Sequence, residues 1–117
     1  MRPFKKIPAR FFATESGEEP VRTWLRKLEP DDRRIIGKDI QKVEFGWPVG
    51  LPVCQSLGDG LWEVRSDICD GRIARVLFGF VGGTMVLLHG FIKKTQKTPK
   101  QDKGIALTRL KAVSKNR

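Results

Sequence analysis

Residues 60–99 contain three apolar, strand-like runs that carry basic side chains at regular spacing. Because side chains alternate across a strand, neighbouring strands would bring one polar set to a single face of a sheet. That set comprises Glu63, Arg65, Arg75, His89 and Lys93. Basic side chains among apolar residues on central strands incur a desolvation cost that a bound phosphate would offset, so the set indicates a phosphate-binding surface. In the alternative, purely structural interpretation, Glu63 pairs with an arginine and His89 is a satisfied strand histidine.

The strands that must position these residues are predicted at 61–67, 73–81 and 84–92. The turn at 69–71 and the Gly82-Gly83 hairpin signal join them into an antiparallel meander. Alternation assigns these side chains to its apolar face: Trp62, Val64, Ala74, Val76, Phe78, Phe80, Val86, Leu88 and Ile92. It places Met85 and Leu87 on the opposite face, together with His89.

Two helices are predicted before the meander. Ser16 and Glu19 have the spacing of a capping box, and the apolar residues that follow recur at helical intervals, which predicts a helix over 17–28. Trp24 lies on that apolar stripe, which favours a core role over stacking on a base. The second helix follows Pro30 and ends at Gly46. The short connection between the two predicts an antiparallel helical hairpin.

Three further segments complete the expected fold. Residues 4–13 have the pattern of a short first strand, and Pro8 favours an edge position because proline cannot donate a ladder hydrogen bond. Residues 46–60 are rich in Gly and Pro and should form an extended loop that borders the site. A basic amphipathic helix beginning at Thr98-Pro99 closes the chain. It either packs on the domain with a solvated lysine face or contacts nucleic acid, and the two can hold together.

Length and charge bound the function. The 117 residues are close to the usual size of one domain, so we expect a single domain over 1–117. The formal charge of +10 predicts attraction to a polyanion, either nucleic acid or an acidic protein. A basic surface that serves only solubility would not explain the uneven distribution, because nine Lys or Arg and one acid lie in residues 93–117.

The cysteines and the N-terminus indicate a cytoplasmic protein. Cys54 and Cys69 are too few for a disulfide scaffold and lack a CxxC or Cys/His pattern, so we expect reduced thiols and no metal site. The sequence contains no apolar run of signal-peptide or membrane-span length, and we expect no membrane association.

Three sequence blocks resemble the RelE/ParE toxin superfamily, most closely its phage-derived HigB-like branch of toxin–antitoxin modules. The blocks are LWEVR at 61–65, GRIARVLF at 71–78, and LLHGFIKKT at 87–95 followed by Thr98-Pro99. The similarity is close over residues 60–113, whereas the helical hairpin agrees in order and length. The resemblance implies an α+β fold in which an N-terminal helical hairpin packs on one face of a twisted antiparallel sheet, with a C-terminal helix. The opposite face would form the active cleft.

The resemblance also implies an activity. Family members of the RelE type are ribosome-dependent messenger-RNA endonucleases that use no metal or other cofactor. They inhibit translation and are neutralised by an antitoxin that often has a helix-turn-helix DNA-binding domain. Members of the ParE type inhibit DNA gyrase instead. Arg65, Arg75, Lys93 and Lys94 match the basic catalytic positions of the nucleases, but this chain has no tyrosine, and Phe91 cannot transfer protons.

Metal-independent RNA cleavage uses the 2′-hydroxyl as an internal nucleophile, so the site needs a base, charge stabilisation at the phosphate and an acid for the leaving oxygen. We expect Arg75 and Arg65 to bind the scissile phosphate, and Lys93 and Lys94 to hold the backbone or protonate the leaving group. Either Glu63 or His89 is the candidate general base, and Glu63 has the alternative role of orienting Arg65.

Four other residues are candidates for RNA binding: Arg72, Phe91, Lys97 and Lys100. Phe91 either stacks on a base or belongs to the core. A gyrase-binding toxin on the same fold and a noncatalytic nucleic-acid-binding module are the competing hypotheses. The lysines and the arginines of the expected cleft favour the nuclease.

Overall fold

A five-stranded mixed sheet organises the molecule, whose computed structural model describes residues 4–93 and 97–115. The strands are β1 (Ala9–Phe11), β2 (Cys54–Gly58), β3 (Leu61–Ile68), β4 (Arg72–Val81) and β5 (Thr84–Lys93), in the spatial order β1-β5-β4-β3-β2. The helices in these residues are α1 (Pro20–Arg26), α2 (Pro30–Gly46) and α3 (Lys100–Lys115). None of them is long and apolar enough to cross a membrane.

The three strands of the predicted meander are confirmed, but two expectations about the sheet were wrong. Strand β1 pairs in parallel with β5, so the sheet is mixed rather than antiparallel. No tight turn joins these two strands, and turn geometry therefore does not fix their relative direction. Strand β2 occupies part of the predicted loop at 46–60 and pairs antiparallel with β3. Its five residues include a register shift between Ser56 and Gly58, which hides the alternation.

Strand β1 is shorter than the predicted 4–13, and the residues before it are hydrogen-bonded to Glu44 of α2. The backbone N–H groups of Lys6 and Ile7 donate to the carbonyl of Glu44, at 2.8 and 3.1 Å. The Glu44 carboxylate in turn accepts from the N–H of Ala9 at 2.7 Å. Strand β1 lies at the edge of the sheet, as Pro8 predicted.

Helices α1 and α2 pack on one face of the sheet. Val21, Ile36 and Val43 share a buried cluster with Val64 and Phe78 of the strands. Helix α1 is shorter than predicted, and the expected capping box is absent because its N-cap, Glu19, makes no side-chain cap.

Trp24 packs against that cluster, which confirms the predicted core role. Its indole lies over Gly90 of β5, where an added Cβ would come within 2.4 Å of the ring. Only glycine therefore leaves room for the indole against this strand.

A β-bulge at Leu88 divides strand β5. The β4–β5 register passes from Leu77 opposite His89 to Phe78 opposite Leu87, so Leu88 is the extra residue. One inserted residue exchanges the two faces of a strand beyond it.

The bulge overturns the predicted alternation for the first half of β5. Met85 and Leu87 belong to the cluster under α1 and α2, whereas Val86 and Leu88 belong to the cluster under α3. The prediction was right for His89 and beyond.

Helix α3 covers part of the other face through Ala106, Leu107, Leu110 and Val113. Arg109 Nη1 donates to the carbonyl of the bulge residue Leu88 at 2.7 Å, and its guanidinium lies 5.7 Å from the centre of the Phe12 ring. Burial lowers the pKa of the Arg109 guanidinium, but an arginine remains protonated in a protein. The prediction that this helix packs on the domain is therefore confirmed.

Candidate active site

Six of the predicted site residues lie on the face of the sheet that carries α3. Arg65 lies directly opposite Arg75 in the β3–β4 pair, and Phe91 lies opposite Arg75 in the β4–β5 pair. Directly opposite residues share a face of the sheet. The six residues are Glu63, Arg65, Arg75, His89, Phe91 and Lys93. Lys94 lies outside the described residues.

Glu63 is the centre of this set. Its side chain is fully buried, and its Oε1 lies 3.6 Å from Arg65 Nε and 3.8 Å from Arg75 Nε. Gln55 Nε2 approaches the same oxygen at 3.5 Å, and the Thr98 hydroxyl donates to Oε2. Both carboxylate oxygens are therefore engaged. This geometry favours the orienting role of Glu63 over that of a general base.

Arg75 is fully buried. Its Nη1 donates to the carbonyl of Lys97 at 2.9 Å, while Nε and Nη2 make no hydrogen bond with the described residues. Burial lowers the pKa of the Arg75 guanidinium and the nearby Glu63 opposes that shift, but an arginine stays charged. Two arginines share one carboxylate here, so the group keeps a net positive charge.

Asp102, in the first turn of α3, connects the helix to the basic end of β5. Its Oδ1 lies 2.8 Å from His89 Nε2 and its Oδ2 lies 3.3 Å from Lys93 Nζ. An ionised carboxylate only accepts hydrogen bonds, so Nε2 of His89 is the donor. In a neutral imidazole this leaves Nδ1 as the acceptor nitrogen.

Phe91 is buried in the cluster under α3, which favours its core role. The His89 ring stacks on it with centroids 5.7 Å apart, and the Arg75 guanidinium lies at the same distance from its centre. The Phe91 ring is thus in contact with both His89 and Arg75.

Residues 97–102, which we call the cover segment, close this face. The segment supplies the Lys97 carbonyl to Arg75, the Thr98 hydroxyl to Glu63, and the Asp102 carboxylate to His89. The sequence pattern predicts a helix cap at Thr98 and identifies Asp102 only as the lone acid of a basic tail. That lone acid was the available signal. Lys97 and Lys100 are exposed on the same segment.

Arg72 does not join the other predicted residues. It alternates to the opposite face, where its Nη2 donates to Asp32 of α2 at 2.8 Å and its Nε donates to the Cys69 carbonyl at 3.0 Å. Burial raises the pKa of Asp32, but the hydrogen bonds from Cys69 and Arg72 outweigh it and the net shift is downward. Arg72 thus ties the β3–β4 turn to α2.

A groove of about 330 Å³ opens beside Arg65 on the same face as the cluster. Its lining consists of Leu51, Pro52, Gln55, Arg65, Asp67 and Ile73. The loop before β2 therefore borders this groove. The thiols contribute nothing to this groove, and burial together with Glu63 raises the pKa of Cys54 to about 11. Residues 4–93 and 97–115 contain no His, Cys, Asp and Glu cluster suited to a metal ion.

Comparison with known families identifies the family of this chain. The profile of the family described as phage-derived protein Gp49-like (DUF891) matches residues 23–111. That range contains the groove, the cover segment and the six residues that share the α3 face, from Glu63 to Lys93. No curated protein matches the chain.

Proposed function

Because the chain belongs to the Gp49-like family of phage-derived proteins, a RelE-like toxin family associated with toxin–antitoxin modules, we propose that it is a HigB-like toxin that cleaves messenger RNA on the ribosome. The observation that carries the proposal is the pair of facing arginines, Arg65 and Arg75, held by one buried carboxylate. A buried guanidinium whose Nε and Nη2 make no hydrogen bond with the described residues is suited to a phosphate, whose oxygens accept hydrogen bonds from forked donors.

In the proposed reaction the 2′-hydroxyl attacks the adjacent phosphorus and the 5′-oxygen leaves, without metal. Arg75 and Arg65 stabilise the charge that develops on the phosphoryl oxygens. His89 Nδ1 accepts the proton of the 2′-hydroxyl, and Lys93 protonates the leaving oxygen. Lys94 assists at the backbone, and Glu63 positions both arginines. The exposed Lys97 and Lys100 hold the RNA backbone, and Phe91 supports the cationic residues rather than a base.

The cover segment defines how RNA must enter. The Lys97 carbonyl accepts from Arg75 Nη1, which is the interaction that a phosphoryl oxygen would make. RNA binding therefore exchanges one oxygen acceptor for another and requires the backbone at Lys97 to move away from Arg75. The ribosome and the messenger supply the negative charge that favours this exchange.

Cleavage on translating ribosomes, with mapping of the cleaved ends, tests the proposal. Loss of one oriented charge-stabilising donor lowers a rate by about 10²–10³, so Arg75→Ala should abolish detectable cleavage. Arg65→Ala should do so as well, and it removes a partly exposed side chain, which limits damage to the fold. Lys111→Ala, on the exposed part of α3, is the control and should weaken binding modestly and in a salt-dependent way.

Thermal unfolding must show that each variant is folded. A folded Arg75→Ala protein that cleaves within about threefold of the unaltered chain would remove Arg75 from the mechanism, given the size of effect that such donors have. Pulse labelling in cells separates the main competitor. Arrest of DNA synthesis with continued protein synthesis would favour a gyrase inhibitor and would contradict the nuclease.

The proposal includes an antitoxin, since the family is associated with toxin–antitoxin modules. We propose a small partner with a helix-turn-helix DNA-binding domain and an acidic surface that meets the basic face. Co-expression of the neighbouring open reading frame should yield a complex and restore growth. A neighbour that does neither is not the antitoxin.

A further inference from the structure

We propose that the groove beside Arg65 binds one unpaired guanine base of the RNA, and that Asp67 recognises it. The inference rests on the proposed function for the presence of RNA, and it adds which base is read and by which residue. The groove lies beside the buried charged group of Glu63, Arg65 and Arg75, and Arg65 belongs to both.

The position of the groove suits a nucleotide next to the scissile phosphate. Asp67 lies two residues beyond Arg65 on β3, on the same face of the sheet, and Ile73 of β4 lies directly opposite it. Arg65 therefore contacts Glu63 and also lines the groove. A volume of about 330 Å³ lies at the lower end of the range of roughly 300–1,000 Å³ that small-molecule sites occupy.

The walls of the groove suit the faces of a base. Leu51 keeps 66% of its surface exposed, an unusual position for a large apolar side chain. It borders the groove together with Pro52 and Ile73. Bases splayed out of single-stranded RNA bind by contact of their faces with protein side chains and by hydrogen bonds at their edges.

Asp67 is the residue that selects the base. It is exposed, and its carboxylate makes no hydrogen bond or ion pair with the part of the chain that the structure describes. A carboxylate beside a phosphate-binding arginine repels the backbone, so its useful partner is a group that donates hydrogen bonds. An ionised carboxylate offers two adjacent acceptors and no donor.

Guanine is the base that matches this pattern. Its Watson–Crick edge presents two adjacent donors, N1–H and the N2 amino group, which fit the two carboxylate oxygens. Adenine and cytosine present one donor beside an acceptor, and uracil presents one donor between two acceptors. Each of these three would place an acceptor against a carboxylate oxygen, which is repulsive.

Titration of the free, full-length protein with the four 3′-mononucleotides tests the inference without ribosomes. The 3′-phosphate reaches towards Arg65 while the base occupies the groove. A bidentate contact discriminates between bases by about tenfold or more, so 3′-GMP should bind at least about tenfold more tightly than 3′-AMP. Asp67→Asn, which replaces one acceptor by a donor, should abolish the preference. Inorganic phosphate should bind the variant no more weakly.

Asp70→Asn is the matched control. Asp70 is also exposed and carries the same charge, but it lies in the β3–β4 turn at φ +64°, outside the groove. Asparagine tolerates this left-handed conformation, so the variant should keep the guanine preference. Equal affinity for all four nucleotides, binding of none of them, or an unchanged preference in Asp67→Asn would overturn the inference.

Mapping of cleaved ends separates the failure of this inference from the failure of the proposed function. Guanine should be enriched at one position next to the cut, and that enrichment should be absent in Asp67→Asn. Cleavage without any base preference would refute the groove and leave the nuclease intact. Selective binding of 3′-GMP by a protein that cleaves no messenger would support the groove and refute the nuclease.

Discussion

Replacement of Glu63 by glutamine should destabilise the protein strongly, because it removes one charge from a buried group of three. Glutamine has nearly the same shape, and its amide oxygen can still accept from Thr98. The substitution therefore isolates the charge. Arg75 has no exposed surface and would lose the carboxylate that lies 3.8 Å from its Nε. Removing one partner of a buried ion pair costs about 3–5 kcal/mol.

The lower end of that range applies here. The Arg65 side chain is 15% exposed, so water can solvate part of its charge when Glu63 is neutral. We therefore expect a loss of about 3 kcal/mol in the free energy of unfolding. For 117 residues the entropy of unfolding is roughly 0.25 kcal/mol/K, which converts this loss into a decrease in Tm of about 12 °C.

Thermal and urea unfolding followed by circular dichroism measure the effect. Glu19→Gln is the matched control, because it removes the charge of a partly exposed carboxylate 3.1 Å from Arg22. Surface pairs contribute about 0–1 kcal/mol, so the control should lower Tm by less than about 4 °C. If the Glu63→Gln variant also loses less than about 4 °C, the buried charge group does not stabilise the fold as argued.

Two further predictions concern packing and pH. Gly90→Ala should lower the free energy of unfolding by about 1–3 kcal/mol, because its Cβ would lie 2.4 Å from the Trp24 ring. Gly37→Ala, in α2 with open space around it, should raise it by about 0.5–1 kcal/mol, and urea unfolding should show these opposite signs. The pKa of Asp32 is lower in the folded protein, so its contribution is complete above the unfolded pKa of about 3.9 and disappears as the pH falls through the folded value. The stability of the unaltered chain should therefore decrease more steeply below about pH 4 than that of Asp32→Asn, and parallel pH profiles would contradict this.

The parts of the site that the sequence predicted are those that depend on short-range periodicity. Arg65 and Arg75 lie ten positions apart, on two strands joined by one tight turn, and alternation from that turn suffices to place them on one face. No comparable pattern in the sequence indicates the bulge at Leu88. Because both faces of the sheet are covered at that point, the residues on either side of the bulge are apolar, and their sequence fits either register.

Contacts between segments that are distant in sequence are the other features that the sequence did not predict. Asp102 approaches His89 because α3 folds back over the sheet, and no local pattern encodes that docking. The same holds for Thr98, whose spacing fits a helix cap but whose hydroxyl donates to Glu63. The parallel pairing of β1 with β5 also joins segments that are distant in sequence. In each case the deciding interaction is tertiary and overrides a reasonable local preference.

The two polar contacts of α3 have a consequence for the alignment of this helix on the sheet. Asp102 contacts His89 and Arg109 contacts the carbonyl of Leu88, so residues seven apart on the helix meet adjacent residues of β5. Apolar contacts alone are non-directional, and a stripe of Ala106 and Leu110 would permit translation of the helix by a turn, about 5.4 Å. Such a translation would break both polar contacts at once. The pair therefore acts as a positional lock, and a replacement helix with the same apolar stripe but without these two side chains would dock in more than one alignment.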